Sequence, residues 1–417
     1  MTQSPHREPV PSRAWVVLTL GLLAQAAGTM LVSAPIYLIP MLHLDRGVPL
    51  AAAGTLASAP TLGMVLTLVL WGAAADRFGE RWVIAGGLAL TAVAAAGAAW
   101  AAAATADLVP LGIALFFGGA AAASTNAASG RVVVGWFPRH RRGLAMGVRQ
   151  MSQPLGVAAA AVAVPPLAAE IHTDGVFVVI GAILAAITLA CAFGIRNPPR
   201  PVAPPAVLAP TSTTKTTART TTNPYRADSF LARIHAVSIL LVLPQFALAT
   251  FGMLWLITGL GWNATAAGLL MGIAQFVGAL GRIVIGGVSD RVGERVRVLR
   301  WVAIAGVAVM LLLALVGAAH EIIPAGLVVG GIVLVIATVV SVADNGLAYT
   351  SVAEAAGSAW AGRALGVQNT GQFIAASAVG PGLGAAISLL GYPLVFGLVA
   401  LAPLIALPLI PKRDQHG

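Results

Sequence analysis

Apolar runs of about twenty residues, parted by short polar or charged connections, recur from Trp15 to Ile410. Strict two-residue alternation is absent, and the runs are apolar around the whole helical circumference, so neither half-buried strands nor surface helices fit. A hydrocarbon core of about 30 Å needs about 20 apolar residues in a helix. Inside it, a helix satisfies its own backbone polar groups. The pattern predicts an all-α integral membrane protein with spans near 15–38, 51–74, 83–104, 108–130, 144–168 and 175–195. A second set follows near 233–258, 264–288, 301–319, 323–346, 364–390 and 392–410. The amphipathic segments 131–143 and 347–363 extend the fourth and tenth helices beyond the lipid.

The predicted organisation is a tail (1–14), a six-helix bundle (15–195), a linker (196–230), a second six-helix bundle (231–410) and a short tail (411–417). The linker holds P-P-R-P-V-A-P-P and T-S-T-T-K-T-T-A-R-T-T-T, tracts too poor in apolar residues to fold by themselves. The first apolar run is too long for a signal-peptide core and has no clean cleavage site, so it is read as the first span.

Composition agrees: the set AVILMFWYC makes up 58% of the chain and charged residues 9%, against roughly 25% charged in a soluble domain. The net charge of +10 does not point to nucleic acid, because the basic residues sit in connections between apolar runs. With both termini inside, 21 of the 24 Lys and Arg fall on the cytoplasmic side. Arg46 alone is outside, while Arg149 and Arg282 lie within spans. That bias predicts a multi-pass protein of the inner (plasma) membrane with cytoplasmic ends. The single cysteine, Cys191, allows no internal disulfide and is read as packing. His43, His172 and His320 fall in outer turns and His235 at an inner helix end, all read as solvated.

Gly72 to Arg81, G-A-A-A-D-R-F-G-E-R, recurs 214 residues later at Gly286 to Arg295 as G-G-V-S-D-R-V-G-E-R. Each copy begins where an apolar run ends, so one half of a membrane protein has been duplicated in parallel, a signature of secondary transporters. On these residues the chain resembles the major facilitator superfamily. That family's loop G-x-x-x-D-R-x-G-x-R is matched by Gly72, Asp76, Arg77, Gly79 and Arg81, and again by Gly286, Asp290, Arg291, Gly293 and Arg295. The resemblance covers everything but the termini and linker. It implies two pseudo-symmetric six-helix bundles, with Asp76 and Asp290 latching their cytoplasmic ends in the outward-open state. The plainer alternative is that these residues anchor topology. Glycine here is expected to permit close helix approach.

A second repeat sets A-M-G-V-R-Q-M-S-Q (Ala145–Gln153) against A-L-G-V-Q-N-T-G-Q (Ala364–Gln372), an offset of 219 that also carries Asn126 onto Asn345. Gln25 and Gln245 lie midway along the first and seventh spans. Polar side chains at that depth are costly and face other helices or a watered cavity. The resemblance implies a cavity lining for Gln25, Gln153, Gln245, Gln372, Asn126 and Asn345; the alternative is hydrogen bonding within each bundle.

Two arginines break the symmetry. Arg282 stands where the first half has Leu68, and Arg149 where the second has Gln368. An uncompensated ion at bilayer depth costs at least ~2.5 kcal/mol. A guanidinium fork matches a carboxylate, and Arg282 is similar in position to the helix-8 arginine of monocarboxylate and oxalate/formate carriers. The lysine those carriers often have in the first or eleventh span is absent here. Both arginines are substrate-contact candidates; the alternative for Arg282 is an ion pair with Asp344 or snorkelling to the inner surface, and for Arg149 snorkelling. Asp344, beside Asn345, is the proton-coupling candidate.

The expected function is secondary active transport of a small organic anion, a carboxylate, with a proton as candidate coupling ion. The runner-up is a drug or metabolite efflux antiporter, whose helix-5 signature G-P-x-x-G-G is not met by Gln153-Pro154-Leu155-Gly156. A non-transporting sensor is the third class. Neither a phosphate-binding G-x-x-x-x-G-K-[ST] loop nor H-E-x-x-H occurs. No enzyme activity, cofactor or metal is therefore expected. The partners expected are a small-molecule substrate, the lipid bilayer and a proton, with no nucleic acid, and the chain is expected to act as a monomer.

Overall fold

The computed structural model describes residues 11–137, 145, 148–197, 223–319, 322 and 326–414, without the side chains at 76, 130–135, 227, 358–359 and 361–362. Most of the N-terminal tail, the Thr-rich linker, Arg139, Arg141, Arg142 and the side chains of Asp76 and Arg131 lie outside the described residues.

The helices are α1 (Ser12–Pro40), α2 (Leu50–Phe78), α3 (Glu80–Ala104), α4 (Leu108–Trp136), α5 (Ser152–Gly194) and α6 (Pro224–Ala227). They continue with α7 (Phe230–Thr258), α8 (Ala264–Val292), α9 (Arg295–Ala319), α10 (Gly326–Val342), α11 (Asp344–Val399) and α12 (Leu401–Leu409). Ten apolar helical stretches are long enough to cross a membrane, and two of them, Val148–Gly194 and Arg363–Leu409, hold 47 residues each. At 1.5 Å per residue such a stretch is about 70 Å long, twice the hydrocarbon core. Each breaks near its middle, at His172 (φ 60°) and Gly391 (φ 76°). Each therefore supplies two crossings, and the twelve expected spans are present. Within the described residues α4 runs to Trp136, residues 138–143 of the first amphipathic segment lying outside them, and the tenth span runs on into the start of α11, where Gly357 (φ 67°) interrupts it.

Six spans form each half. In the first, α1 packs on α4 and α5, α2 on α4, and α3 on α4 and α5; in the second, α7 packs on α11 and α12, α8 on α10, and α9 on α10 and α11. Large apolar side chains such as Leu70, Trp100, Phe193 and Leu389 project outward, where lipid would surround them. Cys191 is buried, as expected.

The chain ends and the repeated turns share one face. Arg81 donates from Nε and Nη2 to the Ala192 carbonyl at 2.9 and 2.6 Å, and its backbone N–H to Asn197 Oδ1 at 3.0 Å. In the second half, Asp414 caps α9 by accepting the backbone N–H groups of Arg295 and Val296 at 2.5 and 3.0 Å. A carboxylate at a helix N-terminus satisfies orphan amides and suits the dipole. Gly79 (φ 82°) and Gly293 (φ 73°) close α2 and α8 in conformations that a side chain disfavours. That accounts for the last glycine of each repeat. The first glycines, Gly72 and Gly286, have nothing within 4 Å of a built Cβ. The close approach expected of them is not made in this arrangement.

Close approach occurs instead at the opposite face. The halves meet along α2–α11 and α5–α8. A Cβ on Gly54 or on Gly380 would collide with the other's carbonyl oxygen, and one on Gly268 with that of Ala161. Gly54 and Gly268 lie near the starts of α2 and α8, so the contact closes the face away from the chain ends. A β-branched residue cannot enter this backbone contact. Gly380→Val is expected to weaken the closed arrangement by about 1–3 kcal/mol, the usual cost of overpacking. Spin-label distances between the starts of α2 and α8 and the far half should lengthen; unchanged distances would refute the assignment.

Candidate functional site

A cavity at mid-height separates the halves, with about 120 Å³ in which a water molecule could move. Its polar lining comes from α1 (Gln25, Thr29, Ser33), α2 (Thr61), α4 (Thr125, Asn126), α5 (Gln153), α7 (Gln245) and α8 (Gln275, Arg282). Met64, Val157, Phe246 and Phe373 supply apolar wall. Arg282 is the one ionisable side chain among the lining residues described.

Five of the predicted site residues therefore face the cavity: Gln25, Asn126, Gln153, Gln245 and Arg282. Asn345 and Arg149 stand behind it, hydrogen-bonded to the lining residues Gln245 and Asn126, and Gln372 stands behind Asn345. Gln25 Nε2 donates to Asn126 Oδ1 at 3.5 Å, and at the equivalent place Asn345 Nδ2 donates to Gln245 Oε1 at 2.8 Å. The repeat thus pairs its own amides, which serve the cavity and bundle cohesion together.

Arg149 is turned toward α4. Its Nε donates to Ser129 Oγ at 2.8 Å, and Nη2 to the carbonyl and Oδ1 of Asn126 at 3.0 and 3.2 Å. Ser129 in turn donates to Gln25 Oε1 at 3.2 Å. The guanidinium is held inside the first bundle and does not snorkel. In the second half Gln368 takes that place, donating to Ser238 Oγ at 2.9 Å and accepting from His235 Nδ1 at 2.7 Å.

The contrast with Arg282 is sharp. It makes no hydrogen bond or ion pair among the described residues, and its Nε is buried without a partner. Asp344 is 1% exposed, and among the described residues no side chain hydrogen-bonds either carboxylate oxygen. The expected alternative of an Arg282–Asp344 ion pair is not formed here.

Two residues with roles escaped the sequence reading. Gln275 lies seven residues before Arg282, two turns along one helix face. Its counterpart at the 214-residue offset, Thr61, also lines the cavity. Spacing from Arg282 was the signal that could have found it. His235, expected to be solvated, is 7% exposed. The short helix α6, in the segment whose composition reads as linker, lays Tyr225 on it, with hydroxyl and Nε2 2.9 Å apart. Asn223 caps that helix by accepting the Tyr225 N–H at 3.0 Å, with Pro224 in its first turn.

At the repeated turns, Arg295 pairs with Glu354 through Nε and Nη2 at 2.8 and 2.7 Å and with Asp290 at 3.4 Å. Asp290 is largely exposed and pairs within its own half. Arg77 and Arg291 are exposed, Arg77 over the Phe78 ring.

The family model of the Major Facilitator Superfamily matches residues 18–378. The uncharacterized MFS-type transporter Rv2994 of Mycobacterium tuberculosis (strain H37Rv) is 42% identical over 403 residues, covering 96% of this chain and 85% of the relative. A counterpart from strain CDC 1551, MT3072, is 41% identical with the same coverage. Among solved structures, a bacterial homolog of the human lysosomal transporter Spinster, inward-facing and unoccupied, superposes with a TM-score of 0.75 at 16% identity, covering 96% of this chain and 97% of that one. A D-xylose-proton symporter gives 0.73 at 17%, covering 97% and 99%. At such identities the likeness concerns fold alone.

The two buried arginines should behave oppositely on truncation. Arg149→Met strips Ser129 and Asn126 of a charged donor and is expected to cost about 2–3 kcal/mol. Arg282→Met breaks no hydrogen bond and should leave the melting temperature unchanged or higher. Thermal unfolding of both variants decides; equal losses would contradict the assignment.

Proposed function

The chain belongs to the Major Facilitator Superfamily, and we propose that it is a secondary carrier moving a small organic anion, a carboxylate, by alternating access. The observation that carries this is Arg282, a guanidinium on the cavity wall with no hydrogen-bond or ion-pair partner among the described residues. Desolvating such an ion costs at least ~2.5 kcal/mol, and a ligand carboxylate would offset that through two parallel N–H···O bonds. Gln153 and Gln275 add amide donors to the lining, and no carboxylate lines the described cavity. A cationic ligand would find a repelling charge and no counter-ion.

Asp344 is the proposed proton site. Binding of an anion at Arg282 weakens the field that favours an ionised Asp344, so anion and proton are taken up together. The excess of basic residues at the face bearing the chain ends supports that face as cytoplasmic. The latch role proposed for Asp76 and Asp290 belongs to the state in which that face is closed, opposite to the arrangement described above.

Arg282→Lys keeps the charge but loses the fork, and is expected to weaken carboxylate binding about tenfold; Arg282→Gln should weaken it about a hundredfold. Equilibrium binding across a panel of short carboxylates, amides and amines tests this. A preferred ligand that is neutral or cationic would sink the reading, as would full anion binding in Arg282→Gln with Asp344→Asn.

Asp290→Ala should slow transport several-fold with affinity changed less than about twofold, because it lies away from the cavity. Transport measured beside equilibrium binding separates the two, and a collapse of affinity at normal turnover would remove the latch role.

A further inference from the structure

The polar lining of the cavity is sorted by depth. α2, α4 and α8 all begin at the face away from the chain ends, at Leu50, Leu108 and Ala264. Thr61 and Gln275 each stand eleven positions past the start of their helix, and Asn126 and Arg282 each stand eighteen past theirs. At 1.5 Å per residue the first pair lies about 16 Å from that face and the second about 27 Å. All four line the cavity. It therefore has two polar tiers about 10 Å apart, and only the tier nearer the chain ends is charged.

Between the tiers the wall of these three helices is apolar. Along α8 the lining runs Gln275, Ala279, Arg282; on α2 Met64 follows Thr61, and on α4 Ala122 precedes Asn126. Gln25 and Gln245 also reach the middle depth, but they are engaged within their own bundles, Gln25 with Asn126 and Ser129 and Gln245 with Asn345. The far tier is the opposite case. Thr61 and Gln275 line the cavity and make no side-chain hydrogen bond among the described residues. Thr29 and Ser33, eleven and seven positions before the end of α1 at Pro40, add two hydroxyls at that depth.

Hydroxyl and amide groups both give and accept hydrogen bonds, so the far tier suits a neutral ligand group that does the same. It offers nothing to a second carboxylate, which would lose its hydration without a counter-charge. A ligand bridging the tiers leaves about 2.9 Å for a hydrogen bond at each end. About 5 Å then separates its own two polar groups, a chain of about four bonds.

We propose that the cargo is a short monocarboxylate carrying a hydroxyl, or another neutral hydrogen-bonding group, about four bonds from the carboxyl carbon, and that Thr61 and Gln275 bind this second group. This rests on the anion reading above, which puts the carboxylate at Arg282. Arg282 selects carboxylates as a class, and the far tier selects among them.

Equilibrium binding of four probes to the full chain in lipid nanodiscs tests this. 4-Hydroxybutanoate has the proposed spacing, and pentanoate puts a methyl group where its hydroxyl stands. 2-Hydroxybutanoate moves the hydroxyl beside the carboxylate, and pentanedioate places a charge at the far end. 4-Hydroxybutanoate should bind about fivefold tighter than pentanoate, the scale of one neutral hydrogen bond, and tighter than the other two. Thr61→Val with Gln275→Leu should bring that ratio to about one with pentanoate bound no worse. Arg282→Gln should weaken both ligands and leave the ratio in place. Gln275→Lys brings a cation to the far tier, so pentanedioate should become the preferred probe, a gain that misfolding could not produce. No such gain would overturn the assignment of Gln275. If the wild type binds pentanoate through Arg282 but holds 4-hydroxybutanoate no more tightly, the two-tier inference fails while the anion reading stands. A ratio unmoved in the double variant overturns it equally. If none of the four carboxylates binds the wild type, the anion reading falls and this inference falls with it.

Discussion

A polar side chain carried into hydrocarbon finds its partner inside the protein or goes without, because no water is there to replace it. Most of the membrane-depth polar residues described here obey this rule. Gln25 pairs with Asn126, Gln245 with Asn345, and Arg149 with Ser129 and Asn126. Arg282 and Asp344 are the charged exceptions among the described residues, beside the lone hydroxyls of Tyr37, Ser124, Ser289 and Ser351. A lone hydroxyl costs far less than an ion, so the unmet guanidinium on the cavity wall is the exception that calls for an explanation.

Duplication supplies the internal control. Each half pairs the same two amides, so the cohesion of each bundle was present before the halves diverged. What differs is charge: Leu68 against Arg282, and Gln368 against Arg149. One substitution opens a site and the other closes a network. Position within a span does not separate them, since both arginines sit at depth. Their neighbours do: α4 offers Arg149 a hydroxyl and a carbonyl, while nothing on the described helices reaches Arg282.

The spans, their number and the two-bundle plan were legible because apolar length and a repeated turn are properties of the sequence itself. Two adjoining spans merged into one long helical stretch at His172 and again at Gly391, a detail of turn geometry that composition does not encode. The site was half legible. Depth and repeat offset pointed to the amides, but whether a glutamine lines a cavity or braces a bundle depends on where neighbouring helices stand. The burial of His235 was out of reach for a related reason. Its cover, Tyr225, comes from a segment whose composition reads as linker, where Asn223 and Pro224 start a helix of only four residues.

The contact between Gly54 and Gly380 has one further consequence. It is made by main chain against main chain, and the same is true of Gly268 and Ala161. At its closest points the barrier is peptide backbone, with Ser58 the polar side chain beside Gly380 and Pro165 the apolar one beside Gly268. Discrimination by charge therefore falls to the cavity lining. Among relatives that keep these glycines, lining side chains such as Arg282 and Gln275 are free to change with the cargo while the seal at the far face stays the same.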